Sequence, residues 1–294
     1  MDADEITTSN PAKIYYPDAG LTKGDVVGHY RRVAEVMVPH LRGRPLTLRR
    51  YPNGIDGQTW YQKEASPKLP SWIRVETIPQ RTTTDVRHVI CDDPATLVYL
   101  ANQAAIEFHI WSSTVDDLEH PDLVLIDIDP PDHVTVADLR DIARLVKKVY
   151  EAAGLTAYLQ ATGGRGFHVV APIEPSRTYD EVRDLAKSAA EVLARLDPDR
   201  LTTAVRKAQR GDRVYLDVQR NGYTSTFVAP YSLRARPSAG VATPLDWHEL
   251  GKAEPDGWTP KRIKERLARK EDPWAGMAEH AASPTKALEL LQKL

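Results

Sequence analysis

A single cysteine, Cys91, among 294 residues excludes an intramolecular disulfide and any zinc site built from cysteines. Long apolar runs are also missing. None approaches the roughly 20 residues needed to cross a bilayer. The opening Met-Asp-Ala-Asp-Glu has neither the basic start nor the apolar stretch of a signal peptide. A cytoplasmic protein that does not engage a membrane is the expectation. No Lys-X-Asp-Gly occurs, since Asp56-Gly57 follows Gly54-Ile55, so the lysine of a nucleotidylating ligase is absent. Nor is there a compact His-rich phosphoesterase segment, an internal repeat, a heptad pattern or a low-complexity tract. Net charge is scarce too: 39 basic against 41 acidic residues give −2. That total fits a weak, non-sequence-specific grip on a polyanion better than a processive one.

What is present is enough hydrophobic sequence, 41% beside 27% charged, to bury the core of one large domain or two small ones. The positive charge is uneven. Arg31, Arg32, Arg42, Arg44, Arg49 and Arg50 crowd the N-terminal fifth. Arg206, Lys207, Arg210, Arg213, Arg220, Arg234 and Arg236 gather further on. Local surface of this kind, more than the total, decides nucleic-acid binding, although solvated charge balanced by nearby acids accounts for many of these residues one at a time.

The most informative residues are Asp127 and Asp129, in Leu-Val-Leu-Ile-Asp-Ile-Asp-Pro (123–130). The branched apolar run predicts a strand buried on both faces, and i and i+2 on a strand point the same way. Two carboxylates side by side repel unless a cation neutralises them, and hard divalent ions such as Mg²⁺ and Mn²⁺ prefer oxygen ligands. An Asp-X-Asp alone equally suits a strand end in solvent. Two further segments bear on the choice. Ala-Thr-Gly-Gly-Arg-Gly-Phe-His (161–168) lies between two strand-like stretches. Its glycines expose N–H groups, and Thr162, Arg165 and His168 add donors, as a triphosphate cradle requires. The Gly-Lys-[Ser/Thr] ending of a Walker loop is absent, and a strand, not a helix, follows. Asp217 sits in the apolar run Val-Tyr-Leu-Asp-Val (214–218), where an acid needs either a metal or a structural partner.

In this order the segments resemble the polymerase domain of bacterial ligase D, in the archaeo-eukaryotic primase superfamily. The resemblance runs from about Ser9 to about Trp247. It is carried also by Asn-Pro-Ala-Lys-Ile-Tyr-Tyr-Pro (10–17), Leu-Thr-Lys-Gly-Asp (21–25), Trp-Tyr-Gln-Lys (60–63), Glu-Phe-His-Ile-Trp (107–111) and Ala-Pro-Tyr-Ser-Leu-Arg (229–234). It implies two-metal nucleotidyl transfer with Mn²⁺ or Mg²⁺ held by Asp127, Asp129 and Asp217. It further implies nucleotide contacts from Arg49, His109, Thr162, Arg165, His168, Arg220 and Arg234. Lys13 and Lys23 would take the 5′-phosphate of a gap, and Trp60 or Tyr61 would stack on the template. Since neighbours on a strand face opposite ways, one of that pair is expected to belong to the core. Thr162 stands where the family has serine and Arg165 where it has lysine, and Val218-Gln219-Arg220 replaces an aromatic-led stretch.

The implied partners are DNA with 5′-phosphorylated gaps or ends, nucleoside triphosphates, Ku and a separate DNA ligase. The implied activity is gap filling and primer extension in end joining, with ribonucleotides at least as good as deoxyribonucleotides. A primase starting chains de novo and an idle end-bridging scaffold remain alternatives.

The expected fold is α/β (α+β), with a mixed central sheet like that of RNA-recognition domains and an N-terminal α/β module. One primase-polymerase domain would span 1–294: a DNA-binding part at 1–115, a catalytic core at 116–250 and a helical tail at 251–294. Helices are predicted over Thr22–Met37, Pro94–Ile106, Val136–Ala153, Tyr179–Leu196 and Lys261–Lys270, with a short last one. Residues 45 to 63 read as two strands around a Pro-Asn-Gly turn.

Overall fold

The computed structural model describes residues 1–81 and 84–294. In chain order the first elements are β1 (Ile14–Tyr16), β2 (Leu21–Thr22), α1 (Lys23–Leu41), β3 (Leu46–Arg50), β4 (Trp60–Gln62), β5 (Val75–Ile78), β6 (Val86–Val89), α2 (Pro94–Asn102) and β7 (Ala105–Ile110). There follow β8 (Leu123–Asp129), α3 (Val136–Ala152), β9 (Tyr158–Ala161), β10 (Phe167–Pro172), α4 (Tyr179–Leu196), β11 (Leu201–Thr202), α5 (Lys207–Arg210) and β12 (Val214–Asp217). The last are β13 (Phe227–Val228), β14 (Thr243–Leu245), α6 (Pro260–Leu267) and α7 (Pro284–Leu291), with short 3₁₀ turns between. The fold is α+β. Among the described residues no helix is long and apolar enough to cross a membrane.

The chain forms two compact units. The first comprises residues 1–116, 226–243 and 258–270; the second comprises 117–225, 244–257 and 271–294. In the first, a four-stranded sheet runs β13-β7-β3-β4. Its helix α1 starts where Thr22 Oγ1 accepts from the Asp25 N–H and Asp25 returns a bond to the Thr22 N–H, a reciprocal cap. Val26, Val27, Tyr30, Val33, Ala34 and Met37 form its buried stripe. The helix runs four residues past the expected end, through Pro39 to Leu41. Proline forfeits one helical hydrogen bond, but burial of Val38 and Leu41 holds the last turn. The helix expected over Pro94–Ile106 is shorter: it stops at Asn102, and Ala104, at φ 70°, turns the chain so that Ala105 and Ile106 begin β7. The apolar run that suggested one long helix serves a helix and a buried strand in succession.

In the second unit the sheet order is β11-β12-β8-β10-β9-β14. The β12-β8-β10-β9 pairs are antiparallel and β11-β12 is parallel, so the sheet is mixed. Val124, Leu125, Ile126 and Ile128 of β8 are fully buried, and α3 and α4 pack against β8. Both helices begin with reciprocal caps, Thr135–Asp138 and Thr178–Glu181. Asn221 ties the end of β12 back to β8: its side chain accepts from the Leu125 N–H at 2.9 Å and donates to the Leu125 carbonyl at 2.7 Å. That pair of hydrogen bonds helps fix the register of the strand that carries the two aspartates.

Candidate active site

In the second unit, strand register lines up one row of polar side chains across four strands. Asp217 pairs with Asp127, Asp127 with His168, and His168 with Gln160. Side chains in register on adjacent strands share a face. His168 Nε2 lies 3.5 Å from Asp127 Oδ1, and the Gln160 amide is 3.5 Å from His168 Nδ1. Asp129, two residues along β8, is opposite Tyr215.

Three arginines attend these acids. Arg220 Nε is 3.8 Å from Asp127 Oδ2 and 3.6 Å from Asp217 Oδ2. Arg165 reaches Asp129 at 3.4 Å and Asp132 at 2.6 Å. Arg210 also lies 3.4 Å from Asp129, with its guanidinium 3.7 Å from the centre of the Tyr215 ring. Burial raises the Asp217 carboxyl above its ordinary value, and the charge of Asp127 adds to this against the hydrogen bond from the Gln219 N–H. Burial, followed by the Asp217 charge, pushes Tyr215 up to about 12.

The donor set of Asp127, Asp129 and Asp217 is made of carboxylate oxygens, the ligand type a hard divalent cation prefers, and it fits such an ion. As the side chains stand, no group of three or more His, Cys, Asp or Glu among the described residues is gathered closely enough to hold a metal. Arginine charge stands beside each of the three carboxylates.

The glycine loop lies between β9 and β10. Gly163, at φ 66°, makes the turn. At Gly166 a Cβ would collide with the carbonyl oxygen of Ile128, the residue between the two aspartates, so only glycine lets the loop lie this close to β8. Thr162 Oγ1 donates to the Gly166 carbonyl at 2.8 Å and accepts from the Gly164 N–H at 3.2 Å. Its hydroxyl staples the loop, while the Arg165 side chain remains about half exposed.

In the first unit Arg49, His109 and Arg234 gather around Glu107, the first residue of the Glu-Phe-His-Ile-Trp segment. Glu107 Oε2 accepts from His109 Nε2 at 3.1 Å. Oε1 accepts from the Ala235 N–H at 2.9 Å and lies 3.5 Å from Arg234 Nε and 3.8 Å from Arg49 Nη1. Burial is the largest influence on Glu107 and pushes its carboxyl up. The His109 hydrogen bond, the Arg234 and His109 charges and the Ala235 N–H outweigh it and bring the value to about 2. A signal for Glu107 was available in the sequence, since it stands two residues from His109 on one strand.

Trp60 and Tyr61 are both exposed, at 43% and 62%, so neither belongs to the core as one of them was expected to. They lie on an edge strand and face opposite ways. Trp60 lies beside Arg50, with the guanidinium 5.6 Å from the ring centre. Tyr61 lies beside Arg49 at 5.2 Å and His109 at 6.2 Å. Lys13 and Lys23 come together because the Lys23 N–H donates to the Lys13 carbonyl at 2.7 Å. Lys13 Nζ donates to Asn53 and Lys23 Nζ to Ser9, both at 2.7 Å. Lys23 is only 5% exposed, and burial, then the charge of Lys13, lowers its pKa.

A family described as "LigD, primase-polymerase domain" matches residues 22–274. The multifunctional non-homologous end joining protein LigD of Mycolicibacterium smegmatis is 32% identical over 253 residues, 85% of this chain and 33% of that protein. The bifunctional non-homologous end joining protein LigD of Bacillus subtilis is 29% identical over 239 residues, 81% of this chain and 38% of that protein. The chain thus spans about a third of the length of these relatives. The solved polymerase domain of Mycobacterium tuberculosis ligase D, in complex with DNA, superposes with a TM-score of 0.87 at 30% identity, covering 94% of this chain and 99% of that one.

Proposed function

The chain belongs to the LigD primase-polymerase domain family, and we propose that it extends primers and fills gaps at DNA ends in repair by end joining. The family is one of metal-dependent, DNA-directed nucleotidyltransferases. The observation that carries the reading is the register of Asp217 against Asp127, with Asp129 on the same strand face. Asp127, Asp129 and Asp217 would hold Mg²⁺ or Mn²⁺. Two such ions supply activation of the primer 3′-hydroxyl and stabilisation of the departing pyrophosphate.

The remaining roles belong to the chain's own groups. His168, beside Asp127, and the exposed guanidiniums of Arg165 and Arg220 take the triphosphate, which matches arginine's fixed fork of donors. Thr162 shapes the loop that presents them. Arg49, His109 and Arg234 are read as further nucleotide contacts, with a ribose 2′-hydroxyl accepted. Lys13 and Lys23 bind the 5′-phosphate across a gap. The exposed rings of Trp60 and Tyr61 offer a stacking surface for template bases, worth about 1–3 kcal/mol per base. Ku and a separate DNA ligase are read as partners of the repair reaction, in keeping with the end joining named for the relatives. Residues 1–115 are assigned to DNA ends and template, 116–250 to catalysis and 251–294 to a supporting tail.

The test is nucleotide incorporation on a primed, gapped duplex with Mn²⁺. Matched gaps carry a 5′-phosphate or a 5′-hydroxyl, and ribo- and deoxyribonucleotides are compared. The reading requires incorporation that depends on primer, metal and 5′-phosphate, with ribonucleotides used at least as well. Synthesis on unprimed template would mark a primase, and no incorporation on any substrate would contradict the assignment.

A further inference from the structure

Strand β7 places Glu107 and His109 two residues apart and therefore on one face. Glu107 is 2% exposed, and a carboxylate withdrawn from water costs several kcal/mol unless its neighbours return charge and donors. Here three separate stretches of chain return them. His109 comes from the same strand, Arg49 from β3, and Arg234 with the Ala235 N–H from the segment after β13.

Glu107 meets its four partners at two ranges of distance. His109 Nε2 and the Ala235 N–H make hydrogen bonds to Glu107, at 3.1 and 2.9 Å. The two guanidiniums stand at ion-pair distance, 3.5 and 3.8 Å, too long for strong hydrogen bonds. Arg49 Nε is buried with no hydrogen-bond partner among the described residues. The rings of Tyr51 and Tyr61, each 5.2 Å from the Arg49 guanidinium carbon, restrict its swing without satisfying its N–H groups. The side chains of Arg49, Arg234 and His109 keep 30%, 20% and 13% exposure, against 2% for the Glu107 side chain. The acid therefore lies behind and the bases face outward.

We propose that Glu107 is a positioning residue, whose buried carboxylate sets Arg49, His109 and Arg234 in the geometry with which they bind the anionic nucleotide. This rests on the reading of those three side chains as nucleotide contacts. Glu107 is too enclosed to reach the ligand, so its effect passes through the bases it holds.

The experiment measures nucleotide affinity without chemistry. Protein bound to a primer–template with a 3′-deoxy end is titrated with a fluorescent ribonucleoside triphosphate in Mn²⁺. Glu107→Gln keeps the shape and removes the charge, and should raise the nucleotide Kd about tenfold or more. Glu107→Asp keeps the charge but withdraws it by one methylene, and should raise Kd roughly threefold. Affinity for the primer–template should not change in either. Because Glu107 acts through Arg49, Glu107→Gln should cost less in an Arg49→Ala background than in the wild type, a non-additivity that a purely structural role does not produce.

If Arg49→Ala and Arg234→Ala weaken nucleotide binding while folded Glu107→Gln binds as wild type, the positioning role is overturned and the nucleotide assignment stands. If Arg49→Ala and Arg234→Ala themselves bind nucleotide as wild type, the assignment fails and the proposal falls with it. Should Glu107→Gln not fold, Glu107→Asp decides, and a wild-type Kd there overturns the proposal.

Discussion

Arg220 lies within ion-pair reach of both Asp127 and Asp217, which face each other as register partners on β8 and β12. One guanidinium is thus shared between two facing carboxylates and offsets part of their repulsion. Removing it leaves the pair opposed. In metal-free buffer Arg220→Ala should therefore lower stability by about 0.5–1 kcal/mol, a small effect because the arginine is half exposed. Mn²⁺ should raise the Tm of the variant more than that of the wild type, since the ion takes over a neutralising task that arginine otherwise shares. Thermal melts with and without Mn²⁺ check this, and equal metal-induced shifts in both proteins would count against it.

Gly166 gives a sharper steric prediction. A methyl group at this position meets the Ile128 carbonyl, backbone against backbone, with no flexible side chain to move aside. Gly166→Ala should push the loop away from β8 and displace Arg165 and His168 together. Primer extension should fall by at least about tenfold, with a loss of a few kcal/mol in stability. Gly28 and Gly251, where a Cβ meets nothing within 4 Å and the backbone is not left-handed, are controls for general glycine effects. Full activity in Gly166→Ala would show that the loop's position is immaterial.

Two buried groups in the first unit make it acid-labile in successive windows. Burial lowers the His29 pKa to about 4, against its hydrogen bond to the Tyr231 carbonyl. The unfolded chain takes up that proton below about 6.5 while the folded protein resists it, so stability is lost as pH falls from 6.5 toward 4. Glu107, held at about 2 against an ordinary 4.5, contributes above 4.5 and loses its contribution as pH falls toward 2. Each is worth up to roughly 3 kcal/mol. Urea unfolding between pH 7.5 and 3 should show stability declining from the His29 window onward. His29→Gln should flatten the upper part, and stability constant from pH 6.5 to 4.5 would contradict the account.

Lys23 is buried beside Lys13, with the cost of that burial already met in the fold. A terminal phosphate dianion would repay it. Lys13→Ala and Lys23→Ala should weaken binding to 5′-phosphorylated gaps, most at low salt, and leave 5′-hydroxyl gaps nearly unaffected. Titration of both variants against the matched duplexes is the measurement, and equal losses on the two would remove the phosphate from the site.

Much of this was legible in the sequence wherever the signal is local. The Leu123–Asp129 strand, the start of α3 at Val136 and the full extent of α4 follow from the periodicity of the apolar residues. Helix ends were less so. Ala104 enters the left-handed region without a glycine to announce it, and Pro39 sits inside a helix that its neighbours keep intact. Long-range convergence was not legible. Nothing near Glu107 in the chain announces that Arg49 and Arg234 close on it, and Lys23 reads as a surface lysine until Ser9 folds over it. Likewise Gln160 becomes part of the polar row only through the register of β9 on β10.

The central claim is that Asp127, Asp129 and Asp217 together hold the divalent ions on which nucleotidyl transfer depends. Its most direct test is Mn²⁺ binding, by calorimetry and by primer extension on the same samples, for the wild type and for Asp127→Ala, Asp129→Ala and Asp217→Ala. The account predicts folded variants that lose Mn²⁺ affinity and extension in parallel, with Asp217→Ala at least as stable as the wild type without metal, because it removes a half-buried acid facing Asp127. Any one of the three variants that retains wild-type metal binding and extension would contradict it.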